Sequence, residues 1–139
     1  MEATHTSRRS PLLQQLEEAA AGLFFISESD YPFETVFWEE AGPLPEEKLK
    51  ELAGKGPDAV VEQVTADYFF RNAVTVPPGA DPGQQETARR FARLLQVLKE
   101  AVSGLVVYRI GRIQVDAFLT GPLADGSGYG GLRTKLVET

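Results

Sequence analysis

Between about Gly83 and Ser103, the residues Phe91, Leu94, Leu95, Leu98, Ala101 and Val102 recur at helical spacing. That spacing draws one apolar stripe along a single long helix, and the stripe needs a broad apolar surface to cover it. Gly104 ends the helix. The next segment, "LVVYRIGRIQVDAFLTG", alternates on either side of Gly111 and reads as a hairpin. Val107 or Tyr108, and Val115 or Ala117, fall on its core faces. A long amphipathic helix beside a hairpin restricts the chain to helices packed on antiparallel strands, an α+β fold.

The signals upstream are shorter. Ser10 and Pro11 read as the N-cap and first residue of a helix that Gly22 stops. A strand is expected over residues 23–26. "SESDYP" then reads as a loop in which Pro32 stops any ladder. "FETVFWEE" is a second strand, Pro45 opens a short helix to about Ala53, and "AVVEQV" is a third strand. Thr65 or Asp67 caps a short helix, "DYFFRNA". "TVPPGADPG" and the glycine-rich "PLADGSGYGG" read as loops, and "LRTKLVET" as the last strand. The 139 residues fit a loose tail over residues 1–9 and one domain over residues 10–139. A hydrophobic fraction of 42% supplies its core.

Composition narrows the function classes. No run of about 18 apolar residues spans a membrane, and "MEATHTSRRSP" has no apolar signal region. Cysteine is absent, which excludes disulfides, thiol chemistry and zinc knuckles. These features place the chain in the cytoplasm. Asn72 is the sole Asn and Met1 the sole Met, and with 9 Pro they point to a thermophilic source. The formal net charge is -6, which argues against direct nucleic-acid binding and fits a basic partner. From Ser10 to Glu47 there are nine acids and no Lys or Arg. That run reads equally as a solvated face and as a surface for such a partner.

No catalytic constellation can be assembled. His5, the only His, sits in the tail. "GSGYGG" has no following helix and no Lys at phosphate-loop spacing. Glu28 and Asp30 share a face if extended and could hold a hard cation, but two carboxylates are few and a turn is the simpler reading. Asp116 and Asp125 read as hairpin and turn residues, and Phe37 and Trp38 as packing. No cofactor and no metal of its own are expected. The residues alone describe an acidic, soluble α+β binding module.

"GLFFISESDYPFE" and the ending "VYRIGRIQVDAFLTG…ADG…RTKLVET" resemble the nuclease A inhibitor family, the NuiA-like proteins. The resemblance runs from about Leu12 to Thr139. It implies a single α/β/α sandwich with a mostly antiparallel central sheet. It also implies tight inhibition of a magnesium-dependent, sugar-non-specific nuclease of the ββα-metal class, with DNA and RNA as that enzyme's substrates. By resemblance, Glu28 of the Ser27-Glu28-Ser29-Asp30 loop enters the nuclease's substrate site. Glu138 and Thr139 follow as contacts, with Thr139 reaching the catalytic magnesium. Where the family carries an acid and then Trp before the long helix, the ungapped positions here are Pro78 and Gly79.

The leading reading is therefore a non-enzymatic bacterial inhibitor, monomeric and binding one nuclease. The alternative is a small-ligand or regulatory module on the same fold with inhibition lost. A third reading, an enzyme using Glu28 and Asp30, rests on that carboxylate pair alone.

Overall fold

A computed structural model describes residues 11–26, 30–39 and 45–138. The tail, Ser10, residues 27–29, residues 40–44 and Thr139 lie outside the described residues.

Among the described residues the sequence signals resolve into four helices and seven strands. Helix α1 (Pro11–Ala20) leads into strands β1 (Phe24–Ile26), β2 (Asp30–Pro32) and β3 (Glu34–Trp38). Helix α2 (Glu46–Leu52), strand β4 (Val61–Val64) and the short helix α3 (Ala66–Phe69) follow. Helix α4 (Pro82–Ala101) precedes β5 (Val106–Ile110), β6 (Gln114–Pro122) and β7 (Tyr129–Val137). Local chemistry fixes the starts. The Thr65 side chain accepts from the Tyr68 amide and caps α3. Asp81 and Gln84 form a reciprocal capping box, and Pro82 needs no amide partner in the first turn of α4.

Five strands form one sheet in the order β3-β7-β6-β5-β4, with every neighbouring pair antiparallel. β1 and β2 form a separate two-stranded hairpin. Alternation along the strands sends Val107, Val115, Ala117, Leu119 and Leu132 to one face. There they join Leu13 and Leu16 of α1, Phe69 of α3, and Phe91, Leu94 and Leu98 of α4. On the other face Ile110 and Phe118 meet Leu49 of α2. Helices thus cover both sides of an antiparallel sheet, and the fold is α+β.

The second face also holds Asp116, buried within β6. Its carboxylate lies 3.5 Å from Lys55 Nζ and 3.3 Å from Arg133 Nη2. Lys55 donates to the Gln114 carbonyl at 2.9 Å, and Arg133 to the Leu52 carbonyl at 3.4 Å. One buried acid therefore ties the end of α2 to β6 and β7, with its charge compensated twice. Asp125 is the turn residue expected, accepting from the Ser127 amide at 2.9 Å. Burial, then the neighbouring Tyr129, holds the Tyr108 hydroxyl above the usual tyrosine range.

Three expectations need correction. "SESDYP" is not wholly a loop. Asp30, Tyr31 and Pro32 pair with Ile26, Phe25 and Phe24, and Pro32 sits in the end pair, where no further ladder bond is asked of it. Likewise Tyr129, Gly130 and Gly131 belong to β7, not to the glycine loop. A Cβ on Gly131, at φ +149°, would come 2.0 Å from the Leu119 carbonyl oxygen, so glycine there permits close strand approach. Leu95 is only half-buried, whereas Leu94 and Leu98 are fully buried. The core line runs through Ala88, Phe91, Leu94, Leu98 and Ala101, and Leu95 flanks it. Leu94→Ala is expected to cost about 2–5 kcal/mol and Leu95→Ala under half as much. Equal shifts of the two urea midpoints would put the stripe's centre elsewhere.

Candidate partner-binding site

The β1–β2 hairpin carries the first candidate segment. Residues 27–29 join its strands. Its base is held by rings. Phe25 stacks on Phe69 of α3, with centroids 4.5 Å apart and planes at 16°. It also meets Phe33 and Phe70 edge-on at 6.2 Å and 6.3 Å. From β7, the Thr134 hydroxyl donates to the Pro32 carbonyl at 2.9 Å. Apolar area and an oriented hydrogen bond together fix the hairpin against the helices and the main sheet. The Asp30 backbone pairs with Ile26. Ser27, Glu28 and Ser29 lie outside the described residues, as does the Asp30 side chain. Among the described residues, no group of three or more His, Cys, Asp or Glu could hold a metal ion.

The second segment is a tight turn. The Ala80 amide donates to the Pro77 carbonyl at 3.1 Å. Pro78 and Gly79 occupy the central positions, and Gly79 has φ +79°. Proline first and a left-handed glycine second make a type II turn. Both residues are exposed. Asp81 just beyond accepts from the Gln84 amide at 2.7 Å, so its carboxylate serves the helix.

The third segment is the chain's end. β7 is an interior strand through Arg133, and past that residue the β3 register stops. Leu136 is buried and pairs with Val115, and Val137 pairs with Gln114. The Glu138 amide donates to the Ile113 carbonyl at 2.8 Å. The Glu138 carboxylate accepts from Arg109 Nη2, and Arg109 Nη1 donates to Glu62 Oε1 at 2.9 Å. Glu138 is therefore tethered at backbone and side chain and does not fray into solvent. Thr139 lies outside the described residues.

Arg109 was no candidate in the sequence, although a signal was present. It shares strand parity with Val107, which faces the core, and a cation in that register requires carboxylate partners.

These segments surround one open groove of about 970 Å³. Phe25 from the hairpin, Pro77 and Asp81 from the turn region, Glu138 from the C-terminal segment and its partner Arg109 of β5 all line it. Phe69 and Phe91 add apolar surface. Glu17 instead lines a separate cleft with Phe24 and Glu34. The described lining contains no Ser, Cys or His. Its charged groups are already engaged: Arg71 donates to the Tyr68 carbonyl at 2.7 Å and lies over that ring, while Arg109 bridges two acids. Among the described residues, no helix is long and apolar enough to cross a membrane.

No curated protein matches the chain significantly. A family model, that of NuiA, nuclease A inhibitor-like protein, matches residues 10–139. The matched span contains the hairpin, the turn, the terminal segment and the sheet that carries them. The chain belongs to the NuiA family of nuclease A inhibitor-like proteins.

Proposed function

We propose that this protein inhibits a magnesium-dependent, non-specific nuclease of the ββα-metal class as a one-to-one monomeric partner. It works in the cytoplasm, without catalysis and without binding nucleic acid or membrane. The observation that carries the reading is the convergence of three segments, far apart in sequence, around one groove. Glu28 on the hairpin and Thr139 at the end of the sequence are the two groups that enter the partner's site. A nuclease cleft holds a hydrated cation and basic side chains arranged for phosphate. Carboxylate and hydroxyl oxygens take the place of the scissile phosphodiester there. Pro78 and Gly79 present a rigid, exposed turn in place of an acid and a large ring, so the anchoring falls to the other two segments.

The test is plasmid degradation by a ββα-metal nuclease, titrated with the wild-type protein, Glu28→Gln and Glu17→Gln. Wild type is expected to protect the plasmid. Glu28→Gln should shift the curve by tenfold or more, the size of a lost charged contact at an interface, about 1.5–3 kcal/mol. Glu17→Gln should stay near wild type. Raising the salt should slow association, since screening acts beyond about 8 Å at physiological ionic strength. Equal losses at both positions would assign binding to general charge. No protection against several such nucleases would favour the small-ligand reading of the groove.

A further inference from the structure

We infer that Arg109 is a positioning residue: it fixes the direction in which the last residues leave the sheet, acting through Glu138 and not by touching the partner. The inference rests on the inhibitory reading above for its functional consequence, though not for its geometry.

Arg109 lies in β5, between β4 and β6. Its side chain is 17% exposed and has an acid on each arm. Nη1 reaches Glu62 of β4 at 2.9 Å, and Nη2 reaches Glu138, which follows β7. To meet Glu138 the guanidinium crosses over β6. Its cross-strand neighbour on β6 is Ala117, whose methyl is too short to block that path. Glu62 holds the first arm, so the second has a fixed direction. The planar fork of Arg suits such a bridge, and a single-point ammonium does not.

Glu138 is thereby held at two points. Its amide is bound at 2.8 Å to the Ile113 carbonyl between β5 and β6, and its carboxylate is bound to Arg109. Both acids remain about half-exposed, at 59% for Glu62 and 48% for Glu138. Ion pairs that wet contribute little to folding. The bridge therefore acts on geometry far more than on stability. It prepays the ordering of the terminal backbone that docking would otherwise require.

The experiment is a cycle on the full chain: Arg109→Gln, deletion of Thr139, and both together, each titrated against a nuclease that wild type inhibits. Amide exchange of Glu138 is followed by NMR in wild type and Arg109→Gln. Arg109→Gln is expected to weaken inhibition roughly tenfold with a melting temperature near wild type, and to speed Glu138 exchange. In the Thr139-deleted protein the same substitution should add almost nothing, because a residue acting through the terminus has nothing left to position. Full additivity, or unchanged exchange, overturns the inference. Should Arg109→Gln fail to fold, Arg109→Lys takes its place, keeping the charge but losing the two-armed reach. If wild type inhibits no nuclease, the inhibitory reading fails separately. Exchange at Glu138 then decides alone whether Arg109 holds the terminus.

Discussion

Phe70→Ala is expected to lower the unfolding free energy by about 3–5 kcal/mol. Phe70 is fully buried. It stands at the centre of a ring cluster, 5.2 Å from Phe69, 6.1 Å from Phe33, 6.2 Å from Phe91 and 6.3 Å from Phe25. Truncation removes the transfer energy of one ring, edge and tilted contacts to four others, and leaves a cavity between elements that are hydrogen-bonded elsewhere and cannot fully collapse. Because Phe25 belongs to β1 and Phe33 follows β2, the loss falls first on the hairpin. Hydrogen exchange should therefore show β1 and β2 amides losing protection before those of β6. A urea midpoint near that of wild type would mean that the cluster repacks, and that the rings do not set the hairpin's position.

Deleting Thr139 is expected to do the reverse, leaving melting nearly unchanged and weakening inhibition by about thirtyfold or more. No described core residue is removed, since the core of β7 closes at Leu136. The loss corresponds to a contact at the hot-spot threshold of ~2 kcal/mol. Magnesium takes oxygen donors at about 2.0–2.1 Å and gives up its waters reluctantly. The hydroxyl of one short residue is well suited to replace one. Appending several residues after Thr139 is expected to be as harmful as deletion, because the added chain crowds the cleft. The check is three inhibition curves, wild type, truncated and extended, against one nuclease. Overlaid curves would remove Thr139 from the site.

Much of the fold was legible because several signals coincided at the same places. Helix α4 was legible from its apolar stripe and its Gly104 stop, whereas the Asp81 cap and Pro82 that open it were read as part of the preceding loop. The β5–β6 hairpin was legible from alternation around Gly111. What escaped depended on partners distant in sequence. Glycines 130 and 131 look like a loop until β3 and β6 are seen pressing on both sides of them. Pro32 looks like a stop until its strand proves to end there. Leu95 and Leu94 are chemically identical, and only the position of α1 and the sheet separates flank from core. In the site, the turn at Pro78 and Gly79 could be read locally. The bridge from Glu62 through Arg109 to Glu138 could not, because it joins three strands that no local rule brings together.

The strand order has a temporal meaning. β3 is made well before β7, which is its one sheet partner among the described residues. Until β7 emerges, Val36, Phe37 and Trp38 have no neighbouring strand among the described residues, and β6 has β5 alone. The hairpin β5–β6 and helix α4 can form during synthesis from near neighbours, but the sheet closes only when β7 arrives. The strand that completes the core is thus continuous with the segment proposed to meet the nuclease, so the sheet closes and that segment is presented in one step.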